Sequence, residues 1–419
     1  MTRSSVTETN QFLVLDAIRS AGATTRPELA AGLDLSPASI SRIVRRLLAE
    51  GLVIEEPGPS DGVGRNRDVL RFNQRAGAVI AIDLGGTKCH GAVADLAGCI
   101  VAEDQRPTFA GGSPAGSLLA SIAALRDAAV REDLAVRAVC VGVPALVNPD
   151  TGLVDAGPNV HWHGFDLMGL LRSELAEPFA VDNDVNLAGL GEAWQGGGAG
   201  IGSFVTLSLG TGIGAAIVLD GQVVRGAHNA AGEVGYLVTR PSQLLRGVPA
   251  AGLEDLISGS ALTDRAMELT KASPERTSMD AEGITPALLF EAAAAGDQVA
   301  AAVIGELVET VAITVTAVAA LLDPARVILD GSIGRALAPY LSQIGALVGQ
   351  VTYRAPEIVT STLGPNATVI GAIASALALH RDAHAPTLPD IRTAISSPLA
   401  WPAGQPAAAA TTGKSHDVP

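Results

Sequence analysis

Aromatic residues make up only 3% of the 419-residue chain, and it has only three cysteines. Cys89, Cys99 and Cys140 are an odd number at wide spacing, with no Cys-x-Cys or Cys-x-x-Cys pair. That excludes a disulfide framework and a zinc knot, and the thiols are expected to be small buried hydrophobes. No uninterrupted apolar run reaches the roughly 18 residues of a membrane span. Met1 to Asn10 is polar where a signal peptide would need an apolar core. The expected place of action is therefore the cytoplasm, without a membrane partner. The Gly-x-Gly-x-x-Gly fingerprint of a dinucleotide fold is also missing.

Basic residues are scarce overall, giving a net charge of −15, yet they are unevenly placed. Residues 1–75 hold ten Arg against nine Asp and Glu, leaving 18 basic and 34 acidic residues for the remainder. Only the N-terminal segment can carry a nucleic-acid footprint, because the acidic body repels a phosphate backbone.

Three helical patterns fill that segment. Asn10 to Ser20 presents a wide apolar stripe. Thr25 is placed to cap a short second helix with Pro27 in its first turn. Ser36 then caps a third, which starts at Pro37 and runs through Leu48. Its spacing puts Ile40, Ile43, Val44 and Leu47 on one face and Ala38, Arg42, Arg45 and Arg46 on the other. Small residues at the entering end, Arg behind them, and Ser39 and Ser41 at the flanks suit a recognition helix in a major groove. Gly51 to Ile54 and Asp68 to Phe72 read as a hairpin wing, with Arg65 and Arg67 at its tip for a backbone or minor-groove contact. Residues 1–75 are thus expected to be a winged helix-turn-helix that binds double-stranded DNA. A protein-binding helical domain with a solvated Arg face is the blander alternative.

From residue 76 the chain reads as α/β. Val79–Ile82 runs into Asp83-Leu84-Gly85-Gly86-Thr87-Lys88 and then a second strand. Paired glycines admit a phosphate to the backbone, Thr87 adds a hydroxyl, and Asp83 is placed to hold magnesium through water. Lying between two strands, they are no Walker loop; a tight hairpin needing Gly-Gly would look the same. A second turn, Gly210-Thr211-Gly212, again joins two apolar strands, and a third, Asp330-Gly331-Ser332, follows the long apolar segment Val299 to Leu322. Three such turns in this order suit a two-lobed actin-type ATPase (ribonuclease H-like) fold, with its cleft near residues 159–236. Between the first two lies Asp182-Asn183-Asp184-Val185-Asn186 at the mouth of a helix, suited to a polyhydroxyl ligand or to helix capping. His161, His163 and Trp162 are candidates for a sugar pocket, with the indole stacking on a sugar face. His228 is treated as polar lining, and no metal site is expected from these histidines.

These motifs resemble the ROK family (repressors, open reading frames and sugar kinases) from about residue 10 to 380. Residues 83–88 match its first phosphate motif and 209–214 its second. The resemblance makes Asp184 the catalytic base if the chain is a kinase. It assigns sugar contacts to Asn159, Asn183, Asp184, Glu233, Tyr236 and Glu254, and nucleotide contacts to Asp83, Gly85, Gly86, Thr87, Lys88, Gly210, Thr211, Gly212 and Gly331. It further implies an N-terminal winged helix of the repressor type, ATP and Mg as cofactors of any kinase activity, a sugar or sugar-phosphate effector, and a homodimer or tetramer.

The departures favour a sensor. Tyr236 stands where most members have His, and residues 239–247 replace the family's cysteine-bearing zinc loop without a single Cys, so zinc is expected to be absent and the loop held by packing. Asp330 stands where a Gly is usual. The expected organisation is 1–75 winged helix, 76–383 sugar-kinase-like domain, and 384–419 a Pro/Ala-rich disordered tail. The leading function is a sugar-responsive repressor of carbohydrate genes. A sugar kinase (hexose or N-acetylhexosamine) with a DNA-binding extension is the alternative.

Overall fold

The computed structural model describes residues 3–58, 68–148, 151–157, 160–239, 243 and 252–382. Arg65, Arg67, Asn159 and the expected tail lie outside these.

The N-terminal module is α1 (Arg3–Ala21), α2 (Arg26–Leu33), α3 (Pro37–Ala49), β1 (Val53–Glu56) and β2 (Val69–Phe72). Thr25 and Glu28 form a reciprocal capping box, and Ser36 caps α3 by accepting from the Ser39 amide. The apolar face read for α3 is buried with Val14, Ile18, Leu29, Val53 and Leu70. Each such side chain contributes about 1.5–3 kcal/mol. α1 starts earlier than its apolar stripe, because a helix already nucleated extends into polar residues at little cost.

The body repeats one strand plan twice. The first lobe contains β3 (Ala78–Leu84), β4 (Lys88–Asp95), β5 (Ile100–Pro107), α4 (Pro114–Arg131), β6 (Val136–Val143), β7 (Leu146–Val147), β8 (Val154–Ala156), α5 (Leu167–Glu174) and β9 (Phe179–Asn183). Its sheet order is β5-β4-β3-β6-β9, antiparallel up to β3 and parallel beyond. α6 (Asp184–Gln195) crosses to the second lobe, which opens with β10 (Phe204–Leu209), β11 (Ile213–Leu219) and β12 (Gln222–Val223). Next come α7 (Glu254–Ile257), α8 (Gly259–Ala272), α9 (Pro286–Ala294) and α10 (Gln298–Leu322). β13 (Arg326–Asp330), α11 (Gly331–Ala336), α12 (Leu341–Val351) and β14 (Glu357–Thr360) complete that lobe, and α13 (Ala367–Asp382) returns to the first. The second sheet has the order β12-β11-β10-β13-β14, the same plan with the same senses.

Two helices exchange lobes. α6, the sequel to the first sheet, packs on β10 and β11, whereas α13, the sequel to the second, packs on β3 and β6. They cross at glycine. A Cβ at Gly371 would lie 1.7 Å from the Leu187 carbonyl oxygen, and one at Gly191 would lie 2.3 Å from that of Ala367. No larger residue fits without moving backbone.

Among the described helices, α10 alone is long and apolar enough to cross a membrane. Its Val303, Leu307, Val311, Val315 and Val318 are buried in the second lobe's core. Two expectations need correction. Cys89 and Cys140 are buried, but Cys99 is exposed in the β4–β5 turn. Trp162 is not a sugar platform: it is 8% exposed, and its ring stacks on Phe165 at 4.5 Å inside the first lobe's core.

Candidate functional site

Two surfaces carry the candidate residues. On α3, Ser36, Ala38, Arg42, Arg45 and Arg46 are exposed, and Ser39 and Ser41 are half-buried. Not all of these are equally free. The Ser36 hydroxyl holds the helix end, Arg45 Nε donates to the Ser41 carbonyl at 3.2 Å, and Arg46 pairs with Glu50 at 2.7 Å. An exposed pair of this kind is worth at most ~1 kcal/mol and yields readily to a phosphate. Arg42 has no such intramolecular partner among the described contacts. Arg26 pairs with Glu55 of β1, fixing α2 against the wing. Sequence spacing missed that pair because it is a contact across the fold.

The second surface is the cleft between the lobes. Asn183 ends β9 and caps α6, its Oδ1 accepting from the Val185 amide at 2.9 Å and the Asn186 amide at 3.2 Å. The capping alternative thus holds for Asn183, whose carbonyl oxygen is committed to the helix. Asp184 follows at the first turn. Burial pushes its carboxyl up to about 6, against the lowering effect of the Val185 amide. Burial, and then the Asp184 charge, push Asp83 up to about 7, while Lys88 opposes this. Burial also raises Glu233, with Asp184 and Glu254 adding to the effect. Asp83, Asp184, Glu233 and Glu254 are therefore one electrostatic group, although some 170 residues separate the ends. Asp83 and Asp184 are thereby held nearer neutrality than free carboxyls, where they can accept from, or donate to, hydroxyl groups.

The loops behind these carboxylates are tightly constrained. Gly232, at φ +92°, passes so close to β11 that a Cβ would lie 1.9 Å from the Ala215 carbonyl oxygen. Glu254 Oε2 accepts from the Ile213 amide at 2.9 Å, so this side chain is partly occupied in orienting the β10–β11 turn. Tyr236 is exposed at 58% and stands at the rim rather than in the cleft. Most of residues 239–247 lie outside the described set, but Gln243 is within it and buried. Its Oε1 accepts from the Thr239 amide at 2.8 Å and its Nε2 donates to the Gly252 carbonyl at 2.8 Å. Gln243 thereby clasps Thr239 to Gly252. Nothing in the sequence marked that glutamine.

The phosphate-side turns face the same cleft. In the first, Gly85 donates to the Lys88 carbonyl and its own carbonyl accepts from Thr108 Oγ1, leaving Thr87 exposed at the tip. In the second, Gly210 donates to the Gly212 carbonyl and accepts from the Gly259 amide, with Thr211 exposed. Gly331 has φ +78°, and a Cβ there would lie 2.2 Å from the Leu209 carbonyl oxygen. Asp330 is buried and pairs with Arg335 at 2.8 Å. Its charge is felt at Asp83. The exposed threonines of both turns, Thr87 and Thr211, and the raised carboxyl of Asp83 are what this region offers to a ligand. Asp330 adds negative charge next to them.

Contacts across the cleft also escaped sequence reasoning. Arg225, after β12, donates to Asp182 of β9 through Nε at 3.1 Å and Nη2 at 2.5 Å. Asn229 Nδ2 donates to the Val147 carbonyl at 3.1 Å. His161, at φ +55°, lies exposed with its ring 5.3 Å from that of Phe109, and His163 and His228 are exposed. Among the described residues no group of His, Cys, Asp and Glu is arranged to hold a metal ion.

Comparison with known proteins assigns both parts. A ROK family model matches residues 79–379, and a MarR family model matches residues 4–62. The chain is 28% identical over 378 residues to the xylose repressor of Caldicellulosiruptor bescii, covering 87% of this chain and 94% of that one. Among solved structures, a ROK family transcriptional regulator, a homologue of the E. coli MLC protein, superposes with a TM-score of 0.75 over 91% of this chain and 98% of that one. At 24% identity, that likeness establishes the fold. The ROK family glucokinase of Streptomyces griseus, solved with glucose and AMPPNP, is 27% identical with a TM-score of 0.59, covering 72% of this chain and 99% of that one.

Proposed function

Because the chain belongs to the ROK family, we infer that it is a sugar-responsive, DNA-binding transcriptional repressor of carbohydrate-metabolism genes. One observation carries this reading. A winged helix with an exposed arginine face is joined to a carboxylate-lined cleft, in a chain that aligns almost end to end with a xylose repressor. A plain sugar kinase has no use for the first surface, and a plain DNA-binding module has none for the second.

α3 would enter the major groove through Ala38, Arg42 and Arg45, with Arg65 and Arg67 of the wing reaching the backbone. A sugar or sugar phosphate would bind in the cleft at Asn159, Asn183, Asp184 and Glu233, with Tyr236 at the rim and Glu254 behind. Binding changes DNA affinity only to the extent that the sugar prefers one lobe arrangement. Two copies are needed to read two half-sites about one helical turn, roughly 10 bp, apart. Exposed Ile313 and Leu321 on α10, with Val351 at the end of α12 and Tyr353 just after it, offer an apolar surface for that homodimer. The place of action is the cytoplasm, where the operator DNA lies.

The kinase reading keeps one specific support, the retention of Asp83, Asp184 and both glycine turns. There Asp184 would be the base for the sugar hydroxyl, and bound magnesium-ATP would supply the phosphoryl group. Asp83 and Lys88 would hold its metal-phosphate end. Asp330 and the absent zinc loop weigh towards the non-enzymatic sensor. The test takes the full chain, a duplex selected from a randomised pool, and D-xylose and D-glucose. DNA affinity that shifts with sugar, without ADP release in the presence of magnesium-ATP, supports the regulator. Turnover that Asp184→Asn abolishes would replace it with the kinase.

A further inference from the structure

α13 reaches both the cleft, at Asp184, and the N-terminal winged-helix module, at α1. It leaves the second lobe just after β14, where buried Ser361 donates to buried Glu192 of α6. Its first turn meets the cleft, where Thr368 Oγ1 donates to the Asp184 carbonyl at 3.3 Å. It then crosses α6 at Gly371 and Gly191, with no room for a Cβ at either crossing point. Val369, Ala372, Ile373, Ala376 and Leu377 bury it on the first lobe's sheet. Its last turn reaches the winged helix: His380 and Arg381 line a shallow open cleft with Phe12, Asp16 and Arg19 of α1. Sixteen residues at 1.5 Å each make a rod of about 24 Å, which joins the two ends without a break.

The far joint is weak in a specific way. Arg19 is stacked on Phe72, its guanidinium carbon 4.3 Å from the ring centroid. It is surrounded by one opposite charge, Asp16, and one like charge, Arg381. The Nε atoms of Arg19 and Arg381 are both buried without a hydrogen-bond partner. Arg19 and Arg381 line one cleft, where Arg19 is penalised by burial and repelled by Arg381, with Asp16 offsetting. A buried donor on each is unmet, which costs stability. The contact between α1 and α13 is therefore easily displaced, while the rod behind it is tightly packed.

We propose that α13 is the lever by which the sugar cleft governs the winged helix, and that the opposed Arg19 and Arg381 keep its far joint ready to shift. The proposal deepens the repressor reading and rests on it for the meaning of the cleft. Movement of the second lobe pulls α13 at Ser361, and movement of the α6 N-terminus pulls it at Thr368. Close packing through Gly371 passes either displacement to Arg381, and the poorly satisfied joint is the first contact to yield.

Amide hydrogen exchange on the full chain, with neither DNA nor sugar, tests this independently of the repressor reading. Arg381→Glu converts the opposed cations into an ion pair with Arg19 and so fixes the joint. The lever predicts exchange slowed at least threefold both in residues 14–21 of α1 and at 183–187 beside the cleft. α12, which packs on α10 and β14, serves as the unaffected reference. Arg381→Ala, which removes the repulsion without adding a partner, gives the same pattern at smaller amplitude and serves if the first variant folds poorly. Slowing in α1 with 183–187 unchanged overturns the lever, and so does an unchanged α1, which would mean that the joint is not as described. The repressor reading fails separately, if D-xylose and D-glucose leave the wild-type protein's affinity for its selected duplex unchanged.

Discussion

Asp184→Asn should make the ligand-free protein more stable at neutral pH, although it removes the central carboxylate of the cleft. Burial raises the Asp184 carboxyl from 3.8 to about 6. The folded state therefore binds more protons than the unfolded chain between pH 4 and pH 6, and stability falls as pH rises through that window. Two pKa units correspond to about 3 kcal/mol at 1.36 kcal/mol per unit. The side chain keeps a solvent-facing edge, so this is an upper bound. Asparagine keeps the oxygen that accepts from the Val185 amide, so its neutral side chain escapes the penalty without losing the cap. Removing the Asp184 charge also lowers Asp83, for which that charge is the second cause of a rise to about 7. Thermal unfolding of wild type and variant at pH 4, 6 and 8, without sugar, reads the difference. The variant's advantage should be near zero at pH 4 and reach its plateau by pH 7 to 8. A variant less stable at pH 8, or an advantage independent of pH, would refute the claim that the cleft holds Asp184 at a cost.

Other consequences are equally direct. Arg42→Ala and Arg45→Ala in the full chain should each weaken duplex binding; any of them that removes a phosphate contact flattens the plot of log affinity against log salt by about 0.9. An unchanged slope and affinity for both would remove α3 as the DNA surface. Ser36→Ala deletes the α3 cap seen at 3.2 Å and should cost about 1 kcal/mol, visible as a lower urea midpoint. Gly371→Ala drives a methyl against the Leu187 carbonyl and should cost 1–3 kcal/mol or more; a neutral effect would mean that α6 and α13 cross less closely. Gln243→Leu opens the clasp between Thr239 and Gly252 and should lower affinity for D-xylose or D-glucose in calorimetry more than it lowers the melting temperature.

Sequence alone determined what depends on neighbours along the chain. Capping by Thr25 and Ser36, the split of α3 into an apolar and an arginine face, and the glycine turns at 85–86 and 210–212 are all local chemistry. Periodicity and capping act within a few residues, so they can be read without coordinates. Tertiary structure alone decided what depends on distant segments meeting. It buried Trp162, set the Gln243 clasp, joined Arg225 to Asp182, and gathered Asp83, Asp184 and Glu233 into one interacting set. It also sent α6 and α13 to each other's lobes. Burial and electrostatic coupling are properties of enclosed space, and only the closed fold creates that space.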